Sequence, residues 1–241
     1  MHAKPYLKEI SLKRESIEDF EAYPFSIAGV RKLGSLRFHS DVTFFVGENG
    51  SGKSTLIEAI AVAMGFNPEG GTKQSQFATS RTHSELHRYL RLVRSFKKPG
   101  DEYFLRAESF YNLATFMEET GYLRGYGGRS LHQQSHGESF MATLLHKLTG
   151  GGLYIMDEPE AALSPSRQMA ALAAIHNLVE QESQFIIATH SPILLAYPRA
   201  SIYQLDEAGI RKVEYEETEH YSVTRQFLND YHQMLEILME P

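Results

Sequence analysis

The sequence predicts an α/β fold with a mainly parallel central sheet, antiparallel N-terminal strands and a small inserted lobe. Three observations predict it. An apolar strand at 42–46 runs into a Gly-rich loop and then a helix; a second buried strand ends in two adjacent acids, Asp157-Glu158; a third ends just before His190. Buried strands alternating with helical patterns are the signature of a parallel sheet covered by helices.

The chain has 241 residues, which suits a single domain, 1–241, with the inserted lobe at about 67–129. Hydrophobic residues at 42% and aromatic residues at 11% suffice for a folded core and argue against disorder. Cysteine is absent, which excludes disulfides, thiolate metal sites and a Cys nucleophile, and suits a reducing cytoplasm. The N-terminal twenty residues lack the apolar stretch of a signal peptide. The longest apolar run, 56–66, contains Glu58 and is too short to span a bilayer. A cytoplasmic protein without a membrane segment is expected.

The net charge of −6 is unevenly spread. From Leu205 onward nine acids face only Arg211, Lys212 and Arg225. Residues 81–98 carry Arg81, Arg88, Arg91, Arg94, Lys97 and Lys98 against Glu85 alone. Such a patch could meet the phosphate backbone of DNA, or be a solvated basic face.

Taken in order, residues 6–46 read as short strands forming a partly antiparallel edge. Residues 42–46 are β-branched and aromatic, as a buried strand requires. Gly47-Glu48-Asn49-Gly50-Ser51-Gly52-Lys53-Ser54 then fits G-x-x-x-x-G-K-[ST] in full. A helix is expected from Thr55 through Leu56, Ile57, Ile60 and Met64, with Gly65 as its C-terminal cap. The glycines let backbone N–H groups turn inward around phosphate oxygens, and the helix N-terminus adds unpaired donors. Lys53 would reach the β- and γ-phosphates of ATP, and the Ser54 hydroxyl would ligate Mg²⁺. Strand, loop and helix together make a nucleotide-phosphate site.

The lobe reads as a hairpin, "RYLRLVRSF-KKPGD-EYFLRAESFYN", then a helix at 113–119 and Gly-rich turns. The stretch "SLHQQSHGESF" at 130–140 has no apolar period, and three readings of it compete: a helix cap, a metal or catalytic cluster, or half of a site completed elsewhere. Residues 153–156 form the next strand. Asp157 at its end is the natural metal partner, and Glu158 is placed to act as general base toward the attacking water. Ser164-Pro165 starts a helix as N-cap and first residue, whose Met169, Leu172, Ile175 and Leu178 or Val179 are expected in the core. The strand 185–188 brings His190 to its carboxyl end, where ligands bind in open α/β sheets, so His190 is expected to sense the γ-phosphate. A hairpin turning at 207–209 and a C-terminal helix complete the chain.

The order GENGSGKST, SHGES, LYIMDEPEAALS, ATHSP resembles the ABC-type P-loop ATPases over about 25–198, and within them the RecF/SMC-like and stand-alone AAA-family ATPases more than transporter subunits. With Ser135 only 82 positions after Lys53 and no heptads, no long coiled-coil arm fits. The resemblance implies a Mg²⁺-dependent ATPase acting as an ATP-gated head-to-tail homodimer that switches an effector protein or a DNA transaction. It also implies that the 130–140 loop is the family's signature, usually Leu-Ser-Gly-Gly-Gln, which caps the γ-phosphate held by the other subunit. Ser135 and Gly137 match its Ser and second Gly, while Gln134, His136 and Glu138 depart from its Leu, first Gly and Gln; Ser135, Gly137 and Glu138 are the expected trans contacts. Ser164 stands where the family usually has Asp. The family's metal-linking Gln has no clean counterpart among Gln74, Gln76 and Asn112. Two alternatives stand beside this reading. One is an ABC transporter ATPase subunit, against which stand the missing Gln and Glu160 where such subunits usually carry Thr. The other is a nucleotide-gated DNA- or effector-binding module with incidental turnover.

Overall fold

Two sheets meet over one buried helix. The computed structural model describes residues 4–73, 84–108 and 136–240. Its strands are β1 (Leu7–Leu12), β2 (Ser35–Arg37), β3 (Val42–Val46), β4 (Leu90–Arg94), β5 (Asp101–Arg106), β6 (Gly152–Asp157), β7 (Gln184–Ala188), β8 (Ala200–Asp206) and β9 (Gly209–Val213). Its helices are α1 (Ala28–Arg31), α2 (Lys53–Met64), α3 (His136–Ala142), α4 (Pro165–Glu180), α5 (Pro192–Leu195), α6 (Glu219–Asn229) and α7 (Tyr231–Met239).

The larger sheet has the order β5-β6-β7-β3-β8-β9, parallel throughout except for the antiparallel β8–β9 hairpin. The smaller one, β2-β1-β4, is antiparallel. The expected mainly parallel sheet with antiparallel N-terminal strands is what forms, and the second hairpin turns between Asp206 and Gly209 as expected. The central strands are covered on both faces, so every residue of β3, β6 and β7 is buried and their sequences are continuous apolar runs. Alternate side chains serve different cores. Phe44, Tyr154, Met156, Phe185 and Ile187 pack with Phe140, Ile175 and Leu178 from α3 and α4. Phe45, Leu153, Ile155 and Ile186 pack with Leu56, Ile57 and Ile60 of α2 and, beyond them, with Leu7 and Ile10 of β1. α2 thus lies between the two sheets, apolar nearly all round.

Several expectations are corrected. The segment 90–106 is not a hairpin: β4 pairs with β1 in the small sheet, whereas β5 pairs in parallel with β6 in the large one. Residues 84–106 of the expected lobe therefore build both sheets. The helix expected at 113–119 and its Gly-rich turns lie outside the described residues. Met169 is 57% exposed rather than core, because α4 buries only the stripe through Ala171, Ala174, Ile175, Leu178 and Val179. The helix expected from Ser139 already includes His136, and the C-terminal helix is two helices broken at Asp230. Of the basic patch, Arg88 pairs with Glu85 (2.9 Å), Arg91 with Glu15 (3.2 Å), and Arg94 donates to the Ala63 carbonyl (2.8 Å); Arg81 lies outside the described residues. Among the described residues no helix is long and apolar enough to cross a membrane.

Candidate active site

The phosphate loop, 47–52, leaves the carboxyl end of β3 and turns into α2, which begins at Lys53, two residues before the expected start at Thr55. Two glycines are obligatory here. Gly47 has φ 147°, and a Cβ on it would lie 2.3 Å from the Leu205 carbonyl oxygen; Gly52, at φ 96°, would place one 2.6 Å from Ile27. A side chain at either position would push β8 or the 27–28 turn off the loop. Lys53 is 4% exposed, and its Nζ donates to the carbonyls of Gly47 and Glu48, both at 2.9 Å, so the ammonium is folded back across the loop. Burial lowers its pKa, against the opposing pull of Glu158, Asp157 and Glu160.

Three adjacent parallel strands deliver the remaining groups to the same edge. Asp157, the last residue of β6, accepts a hydrogen bond from Ser54 Oγ at 3.1 Å. Burial pushes the Asp157 carboxyl up to about 7, opposed first by Arg106, whose Nε stands 3.7 Å away. Arg106 ends β5 and also pairs with Glu58 of α2 at 2.7 Å. Glu158 leaves the strand in the left-handed region, φ 51° and ψ 51°, which turns its side chain off the sheet; its N–H is held by the Ala188 carbonyl of β7 at 2.9 Å. His190 follows β7, its Nε2 lying 3.6 Å from Glu158 Oε1 and its backbone N–H donating to Glu160 Oε1 at 2.5 Å. His190 is depressed to about 4 by burial, then by Lys53 and by His220, so the ring is neutral at physiological pH. Burial raises the pKa of Glu160. A cavity of about 430 Å³ opens beside the loop, lined by residues 47–51, the 27–28 turn, residues 204–207 and the start of α6 at Glu219 and His220.

Ser54 and Asp157 offer hard oxygen donors side by side, and among the described residues the one cationic side chain paired with the Asp157 carboxylate is the Arg106 guanidinium at 3.7 Å. This donor set fits Mg²⁺.

The expected phosphate-loop residues, Ser54, Asp157, Glu158 and His190 are therefore brought together, with Thr55 inside α2 in the turn that follows. Gly137 and Glu138 are not brought to this cavity. Gly137 is packed so closely that a Cβ would sit 2.5 Å from the Ala162 carbonyl oxygen, and Glu138 pairs with Arg167 at 3.3 Å. Ser135, Gln74, Gln76 and Asn112 lie outside the described residues. Ser164 caps α4 by accepting the Arg167 N–H, as expected. Arg106 and His220 were not anticipated. Arg106 carried a signal, since it ends a run of strand residues as Asp157 does, but the hairpin reading hid it. His220, in an acidic tail with no motif, carried none.

An AAA-domain family matches residues 16–123, and a second, described as "AAA domain, putative AbiEii toxin, Type IV TA system", matches residues 125–196. An "Uncharacterized ABC transporter ATP-binding protein" of Haemophilus influenzae is 26% identical over 189 residues, covering 70% of this chain and 71% of that protein. Among solved structures, cbiO1 of Clostridium perfringens, part of the ABC transporter complex cbiONQ, is similar over 87% of this chain and 92% of its own, at 18% identity and a TM-score of 0.48. The SMC head domain of Thermotoga maritima is similar over 89% and 99%, at 16% identity and a TM-score of 0.46. The strand–loop–helix at Lys53 and the two AAA matches define an ATP-hydrolysing P-loop enzyme. More particularly, the two AAA matches and the similarity to the Haemophilus influenzae protein support an ABC-type P-loop ATPase.

Proposed function

We propose that ATP closes two copies of this chain head to tail, that each copy's 135–138 segment completes the other's phosphate site, and that hydrolysis reopens the pair to switch a partner. The observation that carries this is the convergence of Lys53, Ser54, Asp157, Glu158 and His190 at the carboxyl ends of β3, β6 and β7, while Gly137 and Glu138 of the same chain are engaged with Ala162 and Arg167.

In this reading Lys53 gives up its carbonyl partners for the β- and γ-phosphate oxygens, and the loop's N–H groups cradle them. Ser54 and Asp157 would hold Mg²⁺, which when bound supplies charge neutralisation at the β- and γ-oxygens. Glu158 orients the attacking water and takes its proton, because its left-handed backbone aims the carboxylate away from the strand. His190 Nε2–H donates to the γ-phosphate. The test is the mass of the Glu158→Gln protein with ATP: a shift from one chain to two is expected. A protein that binds ATP with Mg²⁺ but stays a single chain would overturn the gated dimer.

A second reading, a transporter ATPase subunit, is favoured by the printed name of the Haemophilus influenzae relative. Copurification with an integral membrane protein would select it. For the DNA-gated alternative, the discriminating measurement is the ATPase rate with and without duplex DNA.

A further inference from the structure

His190 has a partner that the P-loop chemistry does not call for. Its Nδ1 lies 2.9 Å from Nε2 of His220, with ring centroids 5.1 Å apart. His220 is the second residue of α6; neither α6 nor α7 contains a fully buried residue, and His220 and Tyr221 in the first turn of α6 are half-buried. That turn is firmly held. Thr218, fully buried, caps α6 by accepting the Tyr221 N–H and donates to the Tyr215 carbonyl at 2.7 Å. Tyr215 Oη in turn donates to the Pro192 carbonyl at 2.9 Å, two residues after His190, and its ring packs at a tilt of 54° against Tyr221, centroids 4.6 Å apart. The segment 215–221 thus fixes His220 relative to the turn that carries His190.

The hydrogen bond has a direction that chemistry can assign. His190 Nε2 is buried, has no hydrogen-bond partner, and faces Glu158 Oε1 at 3.6 Å. An ionised carboxylate and a phosphate oxygen both only accept, so the Nε2 that serves them must carry the proton. In a neutral ring Nδ1 is then an acceptor, and the group that satisfies it must donate. The lowered pKa values of both rings, caused first by burial, agree with two neutral imidazoles.

We propose that His220 is a positioning residue for ATP hydrolysis: its Nε2–H donates to His190 Nδ1, locks His190 in the Nε2–H tautomer, and holds that N–H toward the γ-phosphate. This rests on the reading of His190 as a γ-phosphate contact, and three measurements separate the two. The first is turnover. His220→Ala is expected to lower kcat about tenfold to a hundredfold, the range that misorientation of a catalytic group costs, with ATP affinity within about twofold. His220→Gln, which keeps an N–H donor at the same reach, is expected to restore most of the rate. The second is a cycle with His190→Ala, in which the double variant should be no slower than His190→Ala alone, since His220 acts only through His190. The third, independent of activity, is the long-range ¹H–¹⁵N spectrum of the His190 ring. The Nε2–H tautomer is expected in the wild type and a mixture in His220→Ala.

Wild-type turnover in His220→Ala beside a slow His190→Ala overturns the proposal and leaves the role of His190 standing. Wild-type turnover in both overturns the role of His190 and, with it, the positioning role of His220. A His190 ring protonated on Nδ1 in the wild type, or a tautomer unchanged by His220→Ala, overturns the hydrogen bond itself.

Discussion

Lys53 has two carbonyl partners at 2.9 Å and almost no contact with water, so in the free protein its charge is already committed to the loop. In the proposed reading ATP would replace these two neutral acceptors with charged ones in the same cradle. Lys53→Ala is accordingly expected to abolish measurable ATP binding, checked by calorimetry; unchanged affinity would contradict the assignment. Glu158 differs in kind, since in the proposed reading it acts on the attacking water rather than holding the nucleotide. Glu158→Gln keeps shape and hydrogen bonding but takes no proton, so it should bind ATP as the wild type does and lose about 10²–10⁴-fold in single-turnover rate. These two residues were legible in the sequence because their spacing to a buried strand end is local. His220 was not legible, because its nearness to His190 arises from a contact thirty residues away along the chain.

At the scale of elements, β3, β6 and β7 could be read directly because strands covered on both faces must be apolar throughout. The pairing of β4 and β5 could not. Two short strands separated by Ser-Phe-Lys-Lys-Pro-Gly look alike in sequence whether they pair with each other or with distant partners, and only β1 and β6 decide the matter. A comparable long-range tie joins the N-terminus to α4. Asp41 accepts from Lys4 at 2.9 Å and pairs with Arg199 at 3.2 Å, while Lys4 also donates to the Val179 carbonyl. Burial pushes the Asp41 carboxyl up, but Lys4 and then Arg199 outweigh it, and the net shift is downward from 3.8. A depressed carboxylate contributes stability that is fully present above its unfolded pKa and is lost as pH falls through the folded one. Asp41→Asn should therefore cost about 1.5–3 kcal/mol at neutral pH, the range for hydrogen bonds to charged groups. In chemical denaturation at a series of pH values, that difference should shrink below pH 3.8. A gap that persists undiminished in acid would assign it to packing instead.

At the scale of the whole molecule, the proposed dimer makes a prediction that no single chain can satisfy. Ser135→Arg would put a cation where a hydroxyl should meet the other copy's γ-phosphate, leaving its own P-loop intact. It should bind ATP and fail to hydrolyse. Mixed with Lys53→Ala, it should regain part of the activity, because one of the two sites then combines an intact P-loop with an intact Ser135. If Ser135→Arg dimerises with ATP in a Glu158→Gln background as readily as its parent, the loop is only a helix cap.

The cross-strand bonds at the sheet's active edge carry a further consequence. Asp157 is in register with Ala188, the Glu158 N–H is held by the Ala188 carbonyl, and the Thr189 N–H is held by the Phe45 carbonyl. Acid pair, histidine turn and phosphate loop are thus ruled off against one another by the same ladder that closes the hydrophobic core. Such an arrangement has no soft joint. Amides 43–46, 154–158 and 186–189 should exchange with deuterium only through global opening, at one common free energy, and heat should extinguish catalysis at the temperature that melts the fold rather than before it.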